Sequence, residues 1–499
     1  MTTTAVEREV KLDVDADFTV PDLTEVPGVD HVEDGGEHEL VATYHDTADH
    51  RLLAARATLR RRTGGHDAGW HLKLPAGPDG ARLEVRREHP RPPHAVPTAL
   101  ADAVTARTRG AALEPVMELV TIRHVRNLVA ADGTVLAELA DDRVTAQAPG
   151  GPAQSWREVE VELVAGGPEL LEAAVHVLLD AGARPAGGPS KLGRALGTPA
   201  AVRPPVRRPR KLPGLVLTYL RAQVDALVDA DARVRLDQPE GVHDLRVATR
   251  RLRSTLATHR RLLEPALVTH LRDELRHLAT EASAARDAEV LLERLPTELA
   301  ALPTDLRSRA SERQTIEELT ADLAAARAAL LAELGSPRYL ALLEDLEALV
   351  AGGSLPPRVT DGKPRRGVRA SVRHDLRRVR RSLRAARAAR GTPEAAAALH
   401  AVRKAAKRAR YATEVVVPRA GERAHVVVAD LTQVQDLLGA HQDDVVAQAR
   451  LRALAESALA AGAPAFSLGA LHERLASSEE VARREARRLV RHAWRRWAD

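Results

Sequence analysis

Alternation of apolar and charged residues over short segments constrains this chain most, and Trp156-Arg-Glu-Val-Glu-Val-Glu-Leu163 displays it in pure form. Successive side chains of a β-strand point to opposite faces. Val159, Val161 and Leu163 therefore share one face, and Glu158, Glu160 and Glu162 the other. The opening stretch repeats the pattern with Glu7, Glu9 and Lys11. So do Leu83 and Val85 against Arg82, Glu84 and Arg86, Leu59 against Arg60 and Arg62, and Trp70, Leu72 and Leu74 against His71 and Lys73. A sheet of such strands has one apolar face to bury and one densely charged face. Two arrangements satisfy it: an open antiparallel sheet with the charged face in water, or a barrel whose charged lumen holds one small, highly charged ligand. Burying so many charges requires that they pair with each other, a metal or the ligand.

The strand texture covers roughly the first third of the chain. Segments 6–12, 40–46, 57–62, 69–74, 81–88, 118–129, 134–140 and 156–164 read as strands. Turn signals such as Asp34-Gly-Gly36 and Asp132-Gly133 separate them, and helical periodicity appears around 97–109 and 168–181. From about residue 214 the sequence turns to Ala/Leu/Arg runs cut by prolines, which predicts an all-helical second half. There Gly335-Ser-Pro337 and Gly391-Thr-Pro393 read as a C′ glycine, an N-cap and an N1 proline. Residues 198–213 are rich in proline and arginine and read as a linker, so domains are expected at 1–197 and 214–499.

Charge divides along the same line. Residues 1–196 hold 21 Lys and Arg against 31 Asp and Glu, and the remainder holds 53 against 38. An acidic part suited to cations is thus joined to a basic part suited to anions. The chain has no cysteine, which excludes disulfides, thiolate chemistry and cysteine-ligated zinc. No apolar run approaches the ~18 residues of a membrane span, so a cytoplasmic protein with no membrane partner is expected. Aromatics are only 2% of residues, which weighs against stacking on nucleic-acid bases. His31, His38, His45, His50, His66 and His71 lack the paired spacing of a zinc site and read as surface or turn residues.

The ordered set Glu7-x-Glu9-x-Lys11, Tyr44-His-Asp-Thr47, Leu59-Arg-Arg-Arg62, Trp70-His-Leu-Lys-Leu-Pro75, Arg82-x-Glu84, Glu158-x-Glu160-x-Glu162 and Ser190-Lys-Leu-Gly-Arg194 resembles the CYTH family of triphosphate tunnel enzymes. The resemblance implies an α+β domain built on an eight-stranded antiparallel barrel, which binds a linear triphosphate with Mg²⁺ or Mn²⁺ and cleaves a phosphoanhydride bond. It implies Glu7, Glu9, Glu158 and Glu160 as metal ligands, with Glu138 and Glu162 as second choices. Lys11, Arg60, Arg62, Lys73, Arg82 and Arg123 would hold phosphate oxygens, and Lys191 would close one mouth. The residue types suit that chemistry. Mg²⁺ takes carboxylate and phosphate oxygens, guanidinium forks bind phosphate in pairs of bonds, and charge neutralisation carries most phosphoryl transfer. Glu160 and Glu162 both remain candidates for general base, and Asp46 and Thr47 read as turn organisers.

The helical half repeats itself. His243, Arg246, Arg250 and Arg253 recur as His400, Arg403, Lys407 and Arg410, at offsets that keep each quartet on one helical stripe. About forty residues after each histidine come the related segments Arg286-Asp-Ala-Glu-Val290 and His441-Gln-Asp-Asp-Val445. The second follows Leu438-Gly-Ala, where the first has Ser283-Ala-Ala. Two matched basic stripes could line one groove for a long polyanion. A further basic helix over 366–390 reads equally as a solvated face. The duplicated pattern resembles the CHAD domain, a duplicated helical bundle associated with inorganic polyphosphate, and implies that these eight residues bind it. The expected function is a metal-dependent triphosphatase for inorganic tripolyphosphate with a polyphosphate-binding helical domain, associated with polyphosphate granules. The alternatives are adenylate cyclase or thiamine triphosphatase activity, or a non-catalytic adaptor.

Overall fold

The computed structural model describes residues 2–65, 67–76, 81–88, 95–188, 190–197, 211–351, 364–392, 394–475 and 488–496. It divides into two compact units, Met1–Pro205 and Val206–Asp499. Most of the expected linker, together with His66 and Pro393, lies outside the described residues.

The first unit contains ten strands among the described residues: β1 (Thr2–Glu7), β2 (Glu9–Val14), β3 (His31–Asp46), β4 (Thr58–Thr63), β5 (Gly69–Pro75), β6 (Arg82–Arg87), β7 (Glu114–Val129), β8 (Val135–Gln147), β9 (Ala153–Leu163) and β10 (Arg184–Pro185). They form one antiparallel sheet in the order β1-β6-β5-β4-β3-β7-β8-β9-β2-β10. The expected closed barrel of eight strands is therefore not what forms, because the ladder has two ends. The difference originates at Arg8, which divides the expected first strand. Residues before it pair with β6, Glu7 opposite Arg82, and residues after it pair with β9, Lys11 opposite Glu160. One short stretch of chain thus reaches both sides of the sheet.

β3 begins nine residues before the expected start at 40, because Asp34-Gly-Gly36 is a bulge and not a turn. The register against β7 shifts between Asp34 and Gly36, and a Cβ at Gly35 would lie 2.8 Å from the Val125 side chain. Only glycine allows that approach. The apolar strand faces pack as predicted: Leu12, Leu128, Leu139, Val159 and Val161 are buried against Leu170, Ala174 and Leu178. Each fully buried aliphatic side chain contributes about 1.5–3 kcal/mol. The last three residues lie on α4 (Pro168–Asp180), which follows the short helices α1 (Arg51–Ala54), α2 (Thr98–Ala103) and α3 (Thr105–Thr108) and precedes α5 (Lys191–Ala195).

The second unit is helical: α6 (Leu212–Arg235), α7 (Gly241–Thr258), α8 (Pro265–Ala300), α9 (Arg309–Leu334), α10 (Pro337–Val350), α11 (Pro364–Ala388), α12 (Ala395–Glu414), α13 (Val417–Ala420), α14 (Glu422–Ala460) and α15 (Phe466–Arg474). α7 packs on α6 and α8, α12 packs on α11 and α14, and α7 also meets α12. Ser336 caps α10 by accepting from the Tyr339 N–H, as its place before Pro337 predicts. Gly335 differs from expectation: its φ of −86° is right-handed, so the α9 terminus does not use a left-handed glycine there.

Candidate functional site

The charged strand faces of the first unit enclose a cavity of about 420 Å³. All seven cations expected to hold phosphate line it: Lys11, Arg60, Arg62, Lys73, Arg82, Arg123 and Lys191. Glu7, Glu9, Glu84, Glu138, Glu160 and Glu162 line it too. Glu158, expected among the metal ligands, is not in the lining. Its carboxylate is taken up by Lys191 at 2.7 Å and by the Trp156 indole N–H at 2.5 Å.

Strand register sorts the charges into walls. Glu9 of β2, Glu162 of β9 and Glu138 of β8 stand directly opposite one another. Lys11 faces Glu160, and Thr58 of β4 faces Lys73 of β5, which in turn faces Glu84 of β6. Several cations are already paired. Lys73 lies 2.5 Å from Glu7, Lys11 contacts Glu160 and sits 3.2 Å from Glu9, and Arg123 donates to Asp142 and Glu160 at 2.7 and 2.8 Å. Burial works to raise Glu9 and Glu160, but neighbouring ammonium groups, Lys11 foremost, hold both below the usual carboxylate range, Glu160 well below it. Burial pushes Glu7 up to about 7, and a hydrogen bond with Glu84 adds to the rise.

Arg60 and Arg82 differ from these pairs. Among the described residues neither has a carboxylate within ion-pair distance, and Arg60 donates to the Tyr44 hydroxyl at 3.2 Å. The Nε atoms of Arg60 and Arg62 are buried without a hydrogen-bond partner. Burial, then the nearby Arg60 and Arg123, press Arg62 down to about 9, even though it contacts Asp67. These guanidinium groups are crowded and undersatisfied on one wall of an enclosed space, which is an environment that favours an anion.

Two carboxylate groupings bear on a metal. Asp142, Glu158 and Glu160 offer oxygens within 4.8 Å of one another. Their centre is filled by the Lys191 ammonium, at 2.9, 2.7 and 2.5 Å from the three, and they hold Lys191 charged well above the ordinary lysine range despite burial. The row of Glu9, Glu162 and Glu138 faces the cavity instead. Like charges directly opposite in a sheet destabilise it, and a hard divalent cation relieves them, so this donor set fits such an ion.

The histidines divide in a way that spacing alone did not reveal. His45 and His71 are buried and not at the surface. His71 bonds Glu84 at 3.0 Å and the Asp67 carbonyl at 2.7 Å, and burial pushes it down to about 4, so it is neutral. Asp46 accepts backbone N–H bonds from Thr47, Leu52 and Leu53, which makes it an organiser of the turn into α1.

In the helical unit α7 and α12 bring the two stripes together. Burial, and then Arg250, Arg403, Arg246 and Arg410, push Lys407 down to about 7. Arg250 donates to the Tyr411 hydroxyl at 2.7 Å, and Arg246 lies 2.9 Å from Asp287. Gly439 of α14 explains the Leu438-Gly pair, since a Cβ there would sit 3.2 Å from the Arg403 guanidinium. The stripe ends are less convergent. Arg253 is pressed by burial and by Arg276 and Arg272 of α8, Arg410 is held by Glu414 at 3.2 Å, and His243 is pushed down by burial and Arg286. His400 is half-buried, and the side chain of His441 lies outside the described residues.

Sequence reading missed Asp142, Tyr411 and Glu414. Asp142 was findable, because it lies two pleats beyond Glu138 on the same face of β8. Tyr411 was not: its ring gathers Arg250, Arg251 and Arg410 at 4.9–5.9 Å, a meeting of residues from two helices. No helix among the described residues is long and apolar enough to cross a membrane.

Comparison with known proteins gives two family matches, the CYTH domain over residues 5–188 and the CHAD domain over 218–452. An uncharacterized protein of Mycobacterium tuberculosis, found in strains CDC 1551 and H37Rv, is 38% identical over 512 residues, covering 97% of this chain and 96% of its own. Among solved structures, the CHAD domain from the plant Ricinus communis is 26% identical with a TM-score of 0.46, over 56% of this chain and 92% of its own. PptA from Streptomyces chartreusis is 24% identical with a TM-score of 0.43, over 57% of this chain and 99% of its own.

Proposed function

The chain belongs to the CYTH family through its first unit and to the CHAD family through its second, and from that premise we propose that it hydrolyses inorganic tripolyphosphate and binds inorganic polyphosphate. CYTH proteins are metal-dependent triphosphate-tunnel enzymes, triphosphatases and cyclases among them. The observation that carries the reading is the group of guanidiniums Arg60, Arg62 and Arg82, the first two with buried Nε atoms that lack a hydrogen-bond partner, in a cavity that also holds the row Glu9, Glu162 and Glu138.

In this reading Arg60, Arg62 and Arg82 take phosphate oxygens directly. Lys11, Lys73 and Arg123 exchange part of their carboxylate contacts for the substrate. Glu9, Glu160 and Glu7 would hold the metal, with Glu138 and Glu162 beside them; Glu158 contributes by fixing Lys191. A bound Mg²⁺ or Mn²⁺ supplies charge neutralisation at the phosphates and lowers the pKa of water. Water attacks the terminal phosphorus, the bridging P–O bond breaks, and phosphate and pyrophosphate leave. Glu160, clamped by cations, is a poor proton acceptor. Burial raises Glu162, which makes it the better candidate base. Among the described lining residues Tyr44 is the one Phe, Tyr or Trp side chain, and its hydroxyl is engaged by Arg60. No flat aromatic wall invites a nucleobase, which favours an inorganic substrate over ATP or thiamine triphosphate. The helical unit would bring the enzyme to polyphosphate granules.

The test is phosphate release from tripolyphosphate, ATP, thiamine triphosphate and long-chain polyphosphate, each with Mg²⁺, Mn²⁺ or EDTA. Metal-dependent release fastest from tripolyphosphate is expected. No release from any of the four leaves a non-catalytic adaptor as the function.

A further inference from the structure

The α7/α12 groove does not account for all the undercompensated charge of the helical unit. α11 buries Val372, Leu376, Val379 and Ala386 and turns Arg377, Arg378, Arg381 and Arg384 outward. Arg377, Arg381 and Arg384 are four, three and seven residues apart, so they form one exposed stripe about 10 Å long, with Arg378 beside it. Like charges at that spacing destabilise a helix. Several surface arginines elsewhere in the unit have carboxylate partners, Arg276 with Asp273, Arg307 with Glu312, Arg338 with Glu274 and Arg450 with Asp322, and those that lack one among the described residues, such as Arg309 and Arg452, are scattered and do not form a stripe. Among the described residues Arg377, Arg381 and Arg384 have none. The single acid in the α11 sequence, Asp375, is buried and paired with Arg408 at 3.0 Å.

The stripe also connects to the groove. Arg408 and Arg378 both act on Asp375, which joins the outer face of α11 to α12. Exposed Lys404 lies on α12 between Arg408 and the groove residues Arg403 and Lys407, so positive charge continues around α12. Arg380, beside the stripe, is held over the Trp494 ring at 4.4 Å, whereas Arg377, Arg381 and Arg384 offer their guanidinium groups to solvent, which suits a polyanion. We propose that the groove continues over Lys404 and Arg408 onto the arginine stripe of α11, so that one long inorganic polyphosphate chain occupies groove and stripe together while a short chain occupies the groove alone. This rests on the polyphosphate-binding reading of the helical unit.

Linking two sites through one ligand raises affinity only when the ligand spans both, here around a helix 10–12 Å thick. The experiment compares the full chain with its R377Q/R381Q/R384Q variant, using polyphosphate fractions of about ten and about a hundred phosphates at several salt concentrations. The variant should lose about tenfold or more in affinity for the long fraction, with a flatter salt dependence, and change less than about twofold for the short one. Removing like-charge repulsion should leave its melting temperature equal or higher, which separates a binding defect from misfolding. Equal losses for both fractions, or no loss for either, overturn the inference. Lost binding of duplex DNA with unchanged long-chain polyphosphate binding also overturns it and gives the stripe to nucleic acid. If the unmodified chain binds no polyphosphate of any length, the polyphosphate reading itself fails and takes this inference with it.

Discussion

The β-unit cavity and the helical groove both gather cations, but they treat them differently. In the cavity Lys11, Lys73, Arg123 and Lys191 each lie against at least one carboxylate, and Arg60, Arg62 and Arg82 complete the set. In the groove Lys407 stands among Arg246, Arg250, Arg403 and Arg410, with Asp443 and Asp287 as the nearby acids. A paired site must exchange partners when a ligand enters, and its carboxylates can take a metal. An underpaired site simply loses repulsion when an anion arrives. The first arrangement suits catalysis on a short, fixed substrate, and the second suits salt-sensitive capture of a long chain.

That contrast can be broken most sharply at the cavity carboxylates. Glu7→Gln or Glu9→Gln should lower tripolyphosphate turnover by at least ~10²-fold at saturating metal, because removing a metal ligand removes transition-state charge stabilisation. Near-normal turnover in both would reduce these glutamates to partners of Lys73 and Lys11. In the groove, Arg246→Ala/Arg250→Ala and Arg403→Ala/Lys407→Ala should each weaken polyphosphate binding by about tenfold and flatten its salt slope, with turnover of tripolyphosphate nearly unchanged. A loss from only one pair would mean that the duplication preserved the fold and not a shared site.

The smallest effect sharpens the comparison through pH. Lys407 sits at about 7 in the folded protein against an ordinary 10.5, so between those values the unfolded chain binds more protons. Stability should therefore rise with pH through that window and fall as pH drops toward 7. A polyanion favours the charged ammonium, so affinity should increase several-fold as pH falls from about 8.5 to about 6. Lys407→Arg cannot discharge and should flatten this dependence while keeping affinity. An equally steep pH profile in that variant would mean that Lys407 is not the titrating group.

Much of the cavity was legible because a two-residue period survives any change of sheet curvature. Lys11, Arg60, Arg62, Lys73, Arg82 and the Glu9, Glu160 and Glu162 faces point into the cavity, where alternation put them. The same logic failed where the chain departs from regular pleating. The Asp34-Gly-Gly36 bulge has the composition of a turn, which hides the first nine residues of β3, and Arg8 splits one expected strand into two. Burial of His45 and His71 had no signature in spacing, since it depends on what covers them.

The sequence by itself determined which residues share a strand face or a helical stripe, where β texture gives way to helix, and that one half repeats. Those are local properties, set by backbone periods of two and 3.6 residues. Tertiary structure decided which charges meet. Lys191 lies far along the chain from Asp142 and closer to Glu158 and Glu160, yet it fills the centre of that trio. Gly439 makes room for Arg403 from another helix, and Arg250 reaches Tyr411 across the packed faces of α7 and α12. Electrostatic energy depends on distance and desolvation in three dimensions, and neither is encoded in the spacing of residues along a chain.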